Sequence, residues 1–172
     1  MNANRRQILG LGGGILAALL AGRRLWAQDV VTISMKGTPR GENTWFEPNG
    51  LAVAVGTRVR FVNDDPGNSH TATTYHPDLY GRARRIPEAA TPWDSKFLLP
   101  GQSFEVVLSA PGVYDYYCIP HELHGMAGRI VVGTEDDPGW EGAAADDDLP
   151  DAVLAHLPPV DAIIDAGAVI SR

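Results

Sequence analysis

The chain is predicted to fold as an all-β sandwich of short strands with a short helical tail, on three observations. Apolar residues alternate with polar ones at period two through the middle of the chain, which is the pattern of half-buried strands. Nineteen glycines and thirteen prolines, nearly a fifth of the 172 residues, favour a turn-rich β fold over a helical bundle. Hydrophobic residues make up 44% and charged residues 20%, enough apolar material for one buried core and too little charge for wholesale disorder.

The first element is an address. Arg5-Arg6 precedes the run Ile8–Gly22, fifteen residues without charge. Five of those are glycine, so the run is weakly hydrophobic, and it is short for a membrane span. Leu25-Trp26-Ala27 follows, with cleavage expected after Ala27. This order of charge, apolar run and small residue is that of an export signal over residues 1–27, of the twin-arginine kind, which directs the protein to the periplasm. A retained N-terminal anchor is the alternative.

Strands are then expected at Val30–Met35, Leu51–Val55, Arg58–Asn63, Ser103–Ser109, Val113–Cys118 and Arg129–Val132. In the third of these, Val59 and Phe61 share one face while Arg58 and Arg60 share the other. Several strands in about a hundred residues suit a β-sandwich. Between Thr74 and Leu99 the alternation fails, and Pro77, Pro87 and Pro92 break it, so a long loop with a helical turn is expected. Beyond residue 133, Pro150–Ala155 and Val160–Ile164 read as two short helices separated by Pro158-Pro159.

Charge divides the chain the same way. Residues 134–172 hold ten acids and one base, Arg172, whereas 28–133 hold eleven acids and nine bases. The expected organisation is a signal (1–27), a nearly neutral domain (28–133) and an acidic tail (134–172) whose simplest role is solubility. An acidic chain without a basic face is a poor nucleic-acid binder. Once the signal is removed, nothing suggests stable membrane insertion, and a monomer is expected. Arg82, Arg84 and Arg85 in the long loop read as a solvated stretch, with a docking patch for an acidic partner as the alternative.

The chemistry lies at the end of the penultimate strand of the domain. Cys118-Ile119-Pro120-His121 is followed by Met126, placing a thiolate, an imidazole and a thioether within nine residues. His70 follows an earlier strand and the turn Asp64–Asn68. Two imidazoles, one thiolate and a weak thioether are the donor set of a blue copper site. Cu(I) prefers soft sulfur and Cu(II) tolerates imidazole, so a rigid site between those preferences changes little on electron transfer. Zinc is the runner-up metal, although it has little use for a thioether. The single cysteine excludes an internal disulfide, a Cys₄ zinc site and an iron–sulfur cluster.

Tyr117-Cys118-Ile119-Pro120-His121 and Gly125-Met126-Ala127-Gly128-Arg129-Ile130-Val131-Val132 resemble the copper loop and last strand of the cupredoxin family, in the spacing seen in plastocyanin and pseudoazurin. The resemblance covers about residues 28–133. It implies an eight-strand Greek-key sandwich, one type 1 copper ion held by His70, Cys118, His121 and Met126, and a one-electron carrier that exchanges electrons with redox partner proteins through a near-surface His121 edge. The tail helices are similar to those at the C-terminus of pseudoazurin. One departure stands out. Plastocyanins commonly carry Asn after the first histidine, tying the two ligand loops together; here it is Thr71, whose hydroxyl can make such a bond. His76 is expected to be a surface or loop-anchoring residue, and His124 does not fit the ligand spacing. Tyr114 and Tyr116 are expected to pack in the core beside Cys118.

Competing functions are narrowed by counting. A copper-binding or delivery protein often uses several methionines, and only Met1, Met35 and Met126 occur. A copper nitrite reductase needs a second copper domain, and a binuclear purple site needs two cysteines. His121-Glu122-Leu123-His124 lacks the His-Glu-x-x-His spacing of a metalloprotease. No enzymatic activity is expected. A red copper site with Glu122 in place of Met126 is a remote alternative.

Overall fold

The computed structural model describes residues 30–146 and 148–171. The expected export signal lies outside the described residues. Among the described residues no helix is long and apolar enough to cross a membrane.

Among the described residues, nine strands form two sheets: β1 (Val30–Gly37), β2 (Thr44–Glu47), β3 (Gly50–Val53), β4 (Thr57–Asn63), β5 (Thr73–Thr74), β6 (Ser103–Leu108), β7 (Gly112–Tyr117), β8 (Ala127–Val132) and β9 (Ala168–Val169). One sheet runs β2-β1-β4-β6 and the other β5-β7-β8-β3-β9. β1 pairs with β4, and β3 with β8, in parallel, and every other pair is antiparallel. The all-β sandwich is the architecture expected. Six strands fall where alternation placed them. β2, β5 and β9 were not foreseen; β5 and β9 hold two residues each, too few to display a period.

Alternation does in space what it suggests in sequence. Val59 and Phe61 of β4 are fully buried, and Arg58 and Arg60 on the opposite face reach Glu105 of β6, with Arg60 Nε at 2.7 Å. Ile33, Met35, Phe46, Phe61, Leu108, Tyr114, Tyr116 and Ile130 fill the space between the sheets, together with Cys118 and Met126. Tyr116 packs edge-on against both Phe46 and Phe61, at 4.8 and 5.1 Å between ring centroids. The expected placement of Tyr114 and Tyr116 in the core with Cys118 therefore holds.

β7 and β8 depart from simple alternation, since every residue in both is buried. Their outer face is covered by the long loop and by the segment after β8. That segment carries helices α1 (Asp151–Leu154) and α2 (Val160–Ala166). Leu149 and Val153 pack with Tyr75, Tyr117 and Ala127, while Ile163 packs with Val113 and Val131. Asp115 also points to this face. It is fully buried between Arg129 (Nε to Oδ1, 2.7 Å) and Arg85 (Nε to Oδ2, 3.0 Å). Arg85 reaches on to Asp146 at 2.5 Å and Asp148 at 3.1 Å.

These contacts correct the solvated reading of the arginine stretch. Arg85 is 2% exposed, Arg82 chelates Glu122, and Arg84 pairs with Glu141. Two of the acids that suggested solubility, Asp146 and Asp148, neutralise a buried cation. The loop itself contains no helix. It is latched by the bridges His70–Leu98 and Thr73–Asp94 and by the Thr74 amide donating to the Trp93 carbonyl at 3.0 Å.

Candidate metal centre

The first histidine is delivered by a tightly organised turn. Asn63 ends β4, and its side-chain carbonyl accepts the Asp65 amide at 3.0 Å while its amide donates to the carbonyls of Asn68 and Leu98, both at 2.8 Å. Asp65 then accepts the Gly67 amide on Oδ1 at 2.8 Å, and the Asn68 side-chain amide on Oδ2 at 2.8 Å. This Asx-type turn reverses the chain. His70, fully buried, is set in register by paired backbone bonds with Leu98.

The other donors come from one short connection. Cys118 closes β7 in an extended conformation and caps the 3₁₀ helix Ile119–His124. Pro120 fits the first turn of that helix, where its missing N–H leaves no bond unmade. The helix brings the His121 amide to the Cys118 carbonyl at 3.0 Å. Gly125 ends it at φ +85°, a left-handed conformation that suits glycine. Met126 then closes the loop, its carbonyl accepting the Cys118 amide at 3.0 Å and its amide donating to the His121 carbonyl at 3.2 Å.

Three donor atoms converge. His70 Nδ1 and His121 Nδ1 are 3.1 Å apart, and Cys118 Sγ lies 3.6 Å from the first and 3.4 Å from the second. No other group of three or more His, Cys, Asp or Glu among the described residues has metal-binding geometry. An ion about 2.0–2.3 Å from each donor would set trigonal N₂S ligands about 3.5 Å apart, so the triangle is the size of a coordinated metal. The tautomer fits as well. His70 Nε2 lies 3.0 Å from Asp65 Oδ2, so it carries the proton and leaves Nδ1 bare toward the centre.

Electrostatics match the task of a metal-ready pocket. Burial lowers the His70 pKa, against the opposing pull of Asp65. Burial, with repulsion from His70 and His124, lowers that of His121. Both imidazoles are thus kept neutral, as ligands must be. Burial pushes the Cys118 thiol up to about 11, only partly offset by the Thr71 amide 3.3 Å from sulfur. A metal must therefore displace that proton.

The family model described as "Copper binding proteins, plastocyanin/azurin family" matches residues 33–133. The chain belongs to this family. Among curated relatives of this cupredoxin, the chloroplastic plastocyanin of Hordeum vulgare is 30% identical over 115 residues, spanning 67% of this chain and 68% of that protein. That of Oryza sativa subsp. indica is 28% identical over 127 residues, spanning 74% and 80%. Among solved structures, a pseudoazurin from Sinorhizobium meliloti superimposes with a TM-score of 0.53 at 28% identity, covering 80% of this chain and 98% of that one.

The cofactor of this cupredoxin is copper, and the donor triangle fits it. Bound there, copper supplies a one-electron Cu(II)/Cu(I) couple. The chain's own residues keep both imidazoles neutral, aim the bare Nδ1 of His70 at the centre, and bury the Cys118 sulfur away from water. Met126 is fully buried and joined through its backbone to both Cys118 and His121.

Other candidates separate cleanly. Glu122 turns away from the triangle. Arg82 grips it through two bonds of 2.6 and 2.7 Å, and the Tyr75 hydroxyl donates to it at 3.0 Å, so it is not placed to replace Met126. His76 accepts the Asp78 amide at 3.2 Å and anchors its own loop, as expected. His124 is exposed, with its ring 6.3 Å from that of His121. Sequence reasoning missed Asp65. An acid five residues before a candidate ligand, in a Pro-Gly turn, was the available signal. Thr71 ties the loops as suggested, its hydroxyl accepting the Ile119 amide at 2.9 Å, and its own amide approaches the thiolate, which residue type could not reveal.

Proposed function

We propose that the chain is a periplasmic one-electron carrier with a type 1 copper ion held by His70, Cys118, His121 and Met126. The observation that carries this reading is the buried Nδ1/Nδ1/Sγ triangle, with sides of 3.1, 3.4 and 3.6 Å. A preformed N₂S plane lowers the reorganisation that accompanies each electron transfer. His121 is the most exposed of the four proposed ligands and the one through which electrons would pass. Phe97, Leu99 and Leu123 are exposed on the segment paired with His70 and on the copper loop, giving an apolar surface for transient redox partners. The organisation proposed is an export signal over 1–27, a cupredoxin domain over 28–133 and an acidic tail over 134–172, acting as a monomer.

Adding Cu(II) to residues 28–172 tests the site. An intense thiolate-to-copper absorption band and narrow copper hyperfine splitting are expected, and a pale complex with ordinary splitting would overturn the reading. Reversible one-electron cycling without copper loss separates a carrier from a copper-delivery protein. Replacement of Arg5-Arg6 by lysines in the full chain, followed by cell fractionation, tests the export route: the variant should accumulate unprocessed inside the cell.

A further inference from the structure

Asp65 is a buried carboxylate with an unusual set of neighbours. It is 1% exposed, and among the described residues the only titratable side chain it contacts is the neutral imidazole of His70. Gly67 and Asn68 supply its other bonds, both from neutral amides. The space around it is closed. A Cβ at Gly37 would lie 2.0 Å from Asp65 Oδ2, so glycine is required on β1 for the carboxylate to occupy this position. A buried anion without a cation is costly unless something nearby balances it. Among the described residues no lysine or arginine does so. The carboxylate instead contacts the far nitrogen of an imidazole whose near nitrogen faces the metal centre.

We propose that Asp65 is a positioning residue that sets the reduction potential of the copper site through His70. This rests on the copper reading above and on the ligand role of His70. Two effects act together. The carboxylate holds the proton on Nε2 and so fixes the Nδ1 lone pair toward copper before the ion arrives. It also places a negative charge behind the ligand, on a carboxylate that is itself covered from solvent. The oxidised site, Cu(II) with thiolate, carries one more positive charge than the reduced site. A buried anion therefore stabilises the oxidised form more, and lowers the potential. No proton moves in this account; the electron alone is exchanged with the redox partner.

The test uses the mature chain, with and without copper. Asp65→Asn removes the charge and keeps an oxygen able to accept from His70. The potential by protein-film voltammetry is expected to rise by at least the equivalent of a tenfold change in the Cu(II)/Cu(I) affinity ratio, about 59 mV for one electron. Asn68→Ala removes a neutral bond to the same carboxylate and serves as the control; its potential should move by less than half as much. A folded Asp65→Asn that keeps its blue band and its potential would overturn the proposal. A wild-type measurement covers the case in which that variant fails to fold. Long-range ¹⁵N NMR on the metal-free protein should show the His70 proton on Nε2, and a proton on Nδ1 would overturn the proposal. An absent blue band in the wild type would instead overturn the copper reading on which this inference rests.

Discussion

The Thr71 hydroxyl accepts the Ile119 amide at 2.9 Å while the Thr71 amide stands 3.3 Å from the Cys118 sulfur. One residue thus joins the segment bearing His70 to the segment bearing the thiolate and the second histidine. Thr71 is itself fully buried, so losing its hydroxyl leaves the Ile119 amide without that partner. Thr71→Val keeps the shape and removes the acceptor, and is expected to cost about 1–3 kcal/mol. Stopped-flow transfer of copper to a chelator should show faster metal loss, and unchanged loss would count against the bracing role.

Pro120 stands between two proposed ligands and lacks an N–H. Pro120→Ala introduces a donor near a sulfur that now faces the Thr71 amide. An added hydrogen bond stabilises the more electron-rich thiolate of the reduced site, so the potential is expected to rise while copper stays bound. Protein-film voltammetry checks both points, and an unmoved potential would refute the first.

Glu122 lies inside the copper loop yet works outward. Arg82 binds it through two nitrogens and stacks over the rings of Tyr75 and Tyr117, 5.1 and 5.2 Å from their centroids. Glu122→Gln should leave the visible band intact, because the residue does not face the metal triangle. It should weaken the clamp by about 1–3 kcal/mol in urea denaturation. Loss of the blue band would point instead to Glu122 as a ligand.

Asp115 is the shared counter-ion of Arg85 and Arg129. Asp115→Ala would remove the carboxylate shared by two buried guanidiniums, leaving Arg85 with Asp146 and Asp148 and Arg129 with Asp146 at 3.7 Å, at a cost of about 1–3 kcal/mol. Chemical denaturation should show that loss even without copper, which separates it from any effect at the metal. Arg84→Ala is the contrasting case. Its pair with Glu141 is about 40% exposed, and a change below about 1 kcal/mol is expected.

The metal-free protein should lose stability as pH rises. The Cys118 thiol ionises near 9.0 in an unfolded chain and at about 11 in the fold. The folded state thus holds its proton more tightly. That contribution is fully present below pH 9 and is lost as pH rises through about 11, a change of about 3 kcal/mol. Cys118→Ser should flatten the thermal stability profile over this window, and should abolish the blue band. A profile identical to the wild type would contradict the burial effect.

What could be read in advance was whatever a short sequence window encodes. Alternation located β4 and β7 because their inward residues, Val59, Phe61, Tyr114 and Tyr116, recur every second position. Spacing assembled Cys118, His121 and Met126 because a tight loop leaves little freedom. Long-range partnerships were not legible. Nothing local in Arg85 announces that Asp115, 30 residues away, and Asp146, 61 residues away, will enclose it. Composition alone therefore made it look solvated. β9 was invisible for the same reason, since two residues acquire strand character only by meeting Gly50 and Leu51 of β3.

Gly125 carries a consequence for engineering. A Cβ there would meet the Ala152 carbonyl at 2.7 Å and His156 Nδ1 at 2.8 Å, so α1 and the residues just after it form a floor beneath the ligand loop. The span from Cys118 to Met126 is gauged against two templates at once, an ion on one side and a helix on the other. Transplanting a loop of different length would satisfy the ion alone and leave the helix facing a gap or a collision. This scaffold would accept such a graft only if α1 were redesigned together with it.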